Sequence, residues 1–224
     1  MDTVMVAWSG GKDSALALYK VQQEGLAISA LLTTVTEHYN RISMHGVRQV
    51  LLERQSHVLG IPLEKVFIPP DSSNEVYEAR MSTVLGKYAG EGVTTVVFGD
   101  VFLEDIRAYR ERQLSKMGMN ASFPLWKKPS PELAHEFLNL GFKAIITCVD
   151  LHALDRSFAG RVYNTQFLSD LPPTVDPCGE NGEFHSFVYD GPNFVEPIPC
   201  KKGRSVIRDD RFYFRDLIPQ AKYR

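Results

Sequence analysis

Over residues 1–123, short apolar runs alternate with amphipathic stretches, a pattern that writes a parallel sheet covered by helices. Strands are expected at residues 4–7, 28–34, 63–68 and 95–98. Between the first two, Ala15, Leu18, Tyr19 and Gln22 keep a 3.6-residue period, and Gly25 supplies a stop. A second helix places Val47, Val50, Leu51, Arg54 and Val58 on one face before Gly60 and Pro62. A third carries Val76, Tyr77, Val84, Leu85 and Tyr88, and a fourth spans residues 104–116, followed by a short run at 121–123. In such a βαβ order the ligand binds outside the carboxyl ends of the strands. Those ends are the runs at 9–14, 33–36 and 69–72, and Gly99-Asp100.

The segment Pro124-Leu125-Trp126-Lys127-Lys128-Pro129 reads as the crossing into a second part. Beyond it are expected a helix at 131–139, a strand at 144–149, a helix at 156–168, a glycine-rich turn, and strands at 183–189 and 211–215. The fold class is α/β: a Rossmann-like parallel sheet with helices on both faces over residues 1–123, plus a smaller C-terminal α/β lobe over 124–224. A substrate cleft is expected between the two. Trp126 reads as a packing anchor between the lobes, with Arg161 and Asn164 pointing to the cleft.

Composition narrows the class. In 224 residues, an apolar fraction of 44% supports a real core, and no run approaches the ~20 apolar residues of a membrane span. No signal-like N-terminus is present, so a cytoplasmic location is expected. Cys148, Cys178 and Cys200 are odd in number and widely spaced, against a disulfide framework, and Cys178 reads as structural. The net charge of −2 divides into about +5 from Lys201 onward and about −7 before it. The basic tail reads as a solvated edge strand or as a contact for an acidic partner. No basic groove marks nucleic-acid binding, and a homodimer is left open.

The densest chemistry lies in Ser9-Gly10-Gly11-Lys12-Asp13-Ser14, placed where the first strand gives way to the first helix. Glycines there let backbone N–H groups approach an anion, and the helix N-terminus presents its dipole to it. The spacing is not that of a Walker loop, which needs four residues between its glycines and Lys next to Ser or Thr. A second run, Cys178-Gly179-Glu180-Asn181-Gly182-Glu183-Phe184-His185-Ser186, makes a tight turn into a strand. Its two carboxylates either converge to bind a cation or amine and move protons, or mark only a hairpin corner. Asp100 is a candidate for ribose or Mg²⁺. Arg107 and Arg110 share a helical face and read as a phosphate or carboxylate contact, or as a solvated ion-pair surface. His45 reads as an adenine contact or a polar cap.

Taken together, these motifs resemble the diphthine-ammonia ligase family of N-type ATP pyrophosphatases, the PP-loop (HUP-type) superfamily. Met44-His45, Gly99-Asp100, Arg107-x-Tyr109-Arg110-Glu111 and Pro124-Leu125-Trp126 agree with it, and the resemblance spans about residues 3–195. It implies that ATP is split between its α- and β-phosphates. Ser9, Gly10, Gly11 and Ser14 then contact pyrophosphate, Lys12 fills the variable place, and Asp13 holds Mg²⁺. His45, Gly99 and Asp100 complete the nucleotide site. Arg110, Gly179, Glu180, Asn181, Gly182, Glu183 and His185 face the substrate, with Asp13 and Glu183 catalytic. The implied reaction adenylates a carboxylate and transfers ammonia to it, the family acceptor being the modified histidine (diphthine) of translation elongation factor 2. Asn181 stands where the family pattern carries a second glycine. Two other readings remain: a related enzyme acting on another acceptor such as tRNA, and a nucleotide sensor without turnover.

Overall fold

A computed structural model describes residues 3–37, 41–42 and 46–221. The first part holds β1 (Thr3–Ala7), α1 (Lys12–Gln23), β2 (Ala27–Thr36), β3 (Arg41–Ile42), α2 (Gln49–Leu59), β4 (Leu63–Ile68), α3 (Asn74–Gly90), β5 (Val93–Val97), α4 (Glu104–Ser115) and β6 (Asn120–Ser122). Five of these strands pair in parallel in the order β4-β2-β1-β5-β6. Where β1 ends, opposite Leu32, the freed edge of β2 is taken at Val35 and Thr36 by the short antiparallel β3.

Side chains alternate across this sheet as the period of two requires. Val4, Val6, Leu31 and Val97 pack on one face with Leu18 of α1 and Leu51 and Leu52 of α2. Met5, Ala30, Leu32 and Val96 pack on the other with Leu85 and Tyr88 of α3 and Leu114 of α4. Gly25 and Gly60 follow α1 and α2 at φ of 75° and 66°, a left-handed backbone that ends a helix at no steric cost. The chain runs from β1 outward to β2 and β4, then returns to the opposite side of β1 as β5. The direction of winding therefore switches between β1 and β5, and a crevice opens at their carboxyl ends.

The second part is built on a separate antiparallel sheet. Its elements are α5 (Ser130–Asn139), β7 (Lys143–Asp150), β8 (Val162–Tyr163), α6 (Thr165–Asp170), β9 (Phe184–Asp190), β10 (Cys200–Arg208) and β11 (Phe212–Pro219). β7 lies at its centre, with β9 along one edge and β8 and β11 sharing the other. The helix expected at 156–168 does not form. A 3₁₀ turn (Arg156–Phe158), β8 and α6 replace it, because Gly160 adopts φ 86° and Asn164 caps a new start by accepting the Phe167 N–H at 2.8 Å. The strand expected at 211–215 is not an edge. It is half-buried between β7 and β10, and β10 is the edge strand, joined to it by Asp209 and Asp210 at φ 52° and 49°. Such paired left-handed residues make the tight turn that matches strand twist.

The two parts share one core. Val4, Val6 and Leu18 belong to the same apolar cluster as Ile146, Phe167 and Phe187 of the second part. Among the described residues no helix is long and apolar enough to cross a membrane.

Candidate functional site

The crevice between β1 and β5 is a cavity of about 630 Å³, and it is lined from both parts of the chain. From the first part come Ser9, Lys12, Asp13 and Ser14, Thr33 at the end of β2, Gly99 and Asp100 after β5, and Arg110 on α4. From the second come Gly179, Glu180, Asn181, Gly182, His185 and Ser186.

The loop after β1 is shaped by a residue that sequence reasoning did not single out. Gln55 of α2 is fully buried; its Nε2 donates to the carbonyls of Gly10 at 3.0 Å and Val188 at 2.7 Å, and its Oε1 accepts the Trp8 indole N–H at 2.9 Å. Gly10 stands at φ 76°, and a Cβ there would lie 2.6 Å from Gln55 Oε1, so the turn admits glycine alone. The signal in the sequence was a glutamine amid the apolar face of a helix, since a buried amide needs partners. Gly99 has a packing reason as well: a Cβ would sit 2.8 Å from the carbonyl carbon of Asp13. This close approach brings the end of β5 against the first turn of α1.

That first turn begins at Gly11, which has no side chain to cap it. Hydroxyls stand in for that cap, Ser9 at the Gly11 N–H and Ser186 at the Lys12 N–H, and a helix start of this kind, with the dipole behind it, suits an anion. Ser9 Oγ accepts the Gly11 N–H at 3.2 Å, and Ser14 Oγ donates to the Gly11 carbonyl at 3.0 Å, so both hydroxyls line the turn. Lys12 is buried here. Its ammonium donates to both carboxylate oxygens of Asp13, at 2.7 and 2.8 Å, and to the Cys178 carbonyl. Burial pulls the Lys12 ammonium down, but the Asp13 charge and hydrogen bond outweigh it, and the net shift is upward. The lysine stays charged. The Asp13 side chain keeps 32% of its surface open.

The glycine-rich turn divides its two carboxylates. Glu183 is buried and absent from the lining: Oε1 accepts the Asp176 N–H and the Asn181 Nδ2, and Oε2 accepts the Asn181 N–H, all at 3.0 Å. It ties the turn together, so of the two readings of this run the converging one does not hold: Glu183 braces the turn behind the cavity lining, and its catalytic role is not supported by its placement. Asp176, also not singled out, does similar work, its Oδ2 accepting the N–H groups of Cys178 and Glu180. Gly179 and Gly182 hold φ of 66° and 85°. Glu180 faces the cavity. Its Oε1 accepts the Val101 N–H at 2.7 Å, and burial, aided by the charges of Asp13 and Asp100, pushes its carboxyl up to about 7.

Around these lie the remaining candidates. Asp100 pairs with Arg110 at 2.9 Å, and the Arg110 guanidinium lies 4.3 Å over the Phe98 ring. Arg107 points elsewhere, to Glu111 and across Trp126 at 4.7 Å, so Trp126, in the crossing segment, packs against α4 and Phe123 of the first part. Arg161 pairs with Asp170 and Asn164 caps α6, so neither reaches the cavity. Burial, with the Lys12 charge adding, lowers His185 to about 4, and its ring is neutral at physiological pH. Ser186 Oγ accepts the Lys12 N–H at 3.1 Å. Thr33 Oγ1, 3% exposed, has no hydrogen-bond partner. Cys178 is buried with its thiol pushed up to about 12, chiefly by burial, and it donates to the Ser130 carbonyl, as a packing residue does. His45 lies outside the described residues. Among the described residues no three His, Cys, Asp or Glu side chains gather as a metal cage.

Comparison with known proteins places these features in a family. The model of the diphthamide synthase N-terminal domain matches residues 2–121, and that of the diphthamide synthase C-terminal domain matches residues 130–216. Among solved structures, a predicted subunit of tRNA methyltransferase from Methanocaldococcus jannaschii is 18% identical, with 66% of this chain and 79% of that one covered at a TM-score of 0.43. No curated protein matches the chain.

Proposed function

The chain belongs to the diphthamide synthase family, of PP-loop ATP pyrophosphatase type, and from that premise we propose that it is an amide ligase working in two half-reactions. In the first, a substrate carboxylate attacks the α-phosphorus of ATP and pyrophosphate departs. In the second, ammonia attacks the acyl carbon and AMP departs. Adenylation is needed because a carboxylate would otherwise have to expel oxide. The observation that carries this reading is a single cavity in which the loop and helix start of Ser9 to Ser14 meet the polar turn of Gly179, Glu180 and Asn181.

The residues suit the ligands. Loop amides and the charged Lys12 stabilise negative charge on the departing pyrophosphate, which is largely a matter of positioned dipoles. Leu32, Met81, Phe98 and Ile106 give the cavity an apolar wall, and the unpartnered Thr33 hydroxyl within it suits the polar edge of a planar base. Mg²⁺ fits as an ion carried in on phosphates and met by one partly open carboxylate, since it rarely uses an all-protein cage. Asp13 would hold it, and it would neutralise charge between the phosphates. Arg110 presents a cation for the substrate carboxylate, and neutral His185 can exchange a hydrogen bond without adding charge. The acceptor is the diphthine carboxylate of elongation factor 2.

Incubating the protein with ATP, Mg²⁺, ammonium and diphthine-bearing elongation factor 2 tests this. AMP, pyrophosphate and amide are expected in equal amounts. Release of ADP and phosphate would sink the proposal.

A further inference from the structure

Three carboxylates line the cavity, and two have a cation against them: Asp13 has Lys12 and Asp100 has Arg110. Glu180 has no ion pair among the described residues. Its one hydrogen-bonded oxygen meets the neutral N–H of Val101, which fixes the side chain without balancing its charge. The backbone beneath it is also fixed, because Asp176 accepts the Glu180 N–H at 3.0 Å and Glu183 braces the same turn. An independent mark of an absent ligand in the same cavity is Thr33, buried, with its hydroxyl oxygen unpartnered. An unbalanced, positioned carboxylate within a phosphate site calls for a cation.

Resting on the ligase reading above, we propose that Glu180 holds the incoming ammonium ion and takes its proton, so that neutral ammonia forms beside the activated carboxyl. One N–H bond of ammonium breaks and an O–H bond forms on Glu180. Nitrogen keeps the electron pair of the broken N–H bond and uses it to form the C–N bond, while the acyl C–O bond to AMP breaks and AMP leaves with the electrons of that C–O bond. The proton shed in forming the neutral amide goes to water. Asp13 is less suited because Lys12 and the Mg²⁺ assigned to it above already claim it, and Asp100 because Arg110 pairs with it. Glu183 is less suited because it is buried in the turn and does not line the cavity.

Glu180→Gln keeps an acceptor for Val101 N–H and removes the charge. With ATP, Mg²⁺ and diphthine-bearing elongation factor 2, acceptor-dependent exchange of pyrophosphate into ATP should stay within about twofold of wild type. Amide formation from ammonium should fall about 100-fold in kcat/KM, the scale of a lost general base. Hydroxylamine, uncharged at neutral pH, needs no deprotonation, and hydroxamate formation should be retained. Glu180→Asp, which keeps the charge but withdraws it by one methylene, should show the same selective loss in smaller measure, and it carries the test if the glutamine variant does not fold. Equal loss with both nucleophiles, or loss of exchange in a folded variant, overturns the assignment. Failure of wild-type protein to catalyse exchange overturns the ligase reading itself.

Discussion

Single side chains in this cavity carry opposite pH signatures. The Glu180 carboxyl rises to about 7 from its ordinary 4.5, so between those values the folded chain binds more protons than the unfolded one. Stability from this group therefore falls as pH rises from 4.5 to 7 and is fully lost above. His185, lowered to about 4 from 6.5, has the reverse sign: the unfolded chain binds more protons between these values, and stability falls as pH drops through them. Glu180→Gln should thus gain about 1 kcal/mol at pH 8 relative to pH 5, after discounting for partial exposure. Urea titrations at the two pH values check it, and an unchanged difference would place the carboxyl in water. Gln55→Leu should cost about 2–3 kcal/mol, since the Trp8 indole and the Val188 carbonyl lose their partner in a dry setting. A loss below about 0.5 kcal/mol would show that water replaces the amide.

The loop between β1 and α1 works only because neighbouring elements approach it closely. Gly99→Ala would thrust a methyl group to 2.8 Å from the Asp13 carbonyl carbon, and both are backbone-bound, so β5 and α1 must part. The expected outcome is a loss of about 1–3 kcal/mol in stability and at least about tenfold weaker ATP binding, because the helix start is displaced from the switch point. Calorimetric titration with ATP reads it, and unaltered affinity would mean that the amides do not bind phosphate. At this scale the sequence was most legible where apolar residues keep one period, as in α1, α2 and β1. It failed at 156–168, where apolar spacing suits a helix but Gly160 and the Asn164 cap divide it. β10 escaped notice because Lys201, Lys202 and Arg204 mask a strand that is paired along one edge only and needs little apolar surface. The phosphate loop was readable because it depends on local spacing, whereas the split between Glu180 and Glu183 depends on Val101 and Asp176, contacts that no period announces.

Across the whole molecule, the second part completes the first. Val188 N–H donates to the Gly10 carbonyl at 2.9 Å, Ser186 caps Lys12, and Lys12 reaches the Cys178 carbonyl, so the phosphate loop is held in place by β9 and the turn before it. Further ties join Asp216 of β11 to Arg48 beside α2, and Asn193 to Gln22 of α1. With one apolar cluster shared by both sheets, unfolding either part would expose the other's core and strand its buried amides. Trp8 lies in the first part and Trp126 in the crossing segment packed on α4, while the buried thiol of Cys148 reports on the central strand of the second sheet. In urea, tryptophan emission and thiol labelling of Cys148 should therefore share one midpoint, and saturating ATP should raise both together. A fragment ending at residue 123 should show no cooperative transition and no ATP binding, since it lacks the groups that hold Gly10 and Lys12. Two separated midpoints would mean that the parts are independent modules, and that the cavity forms by their docking.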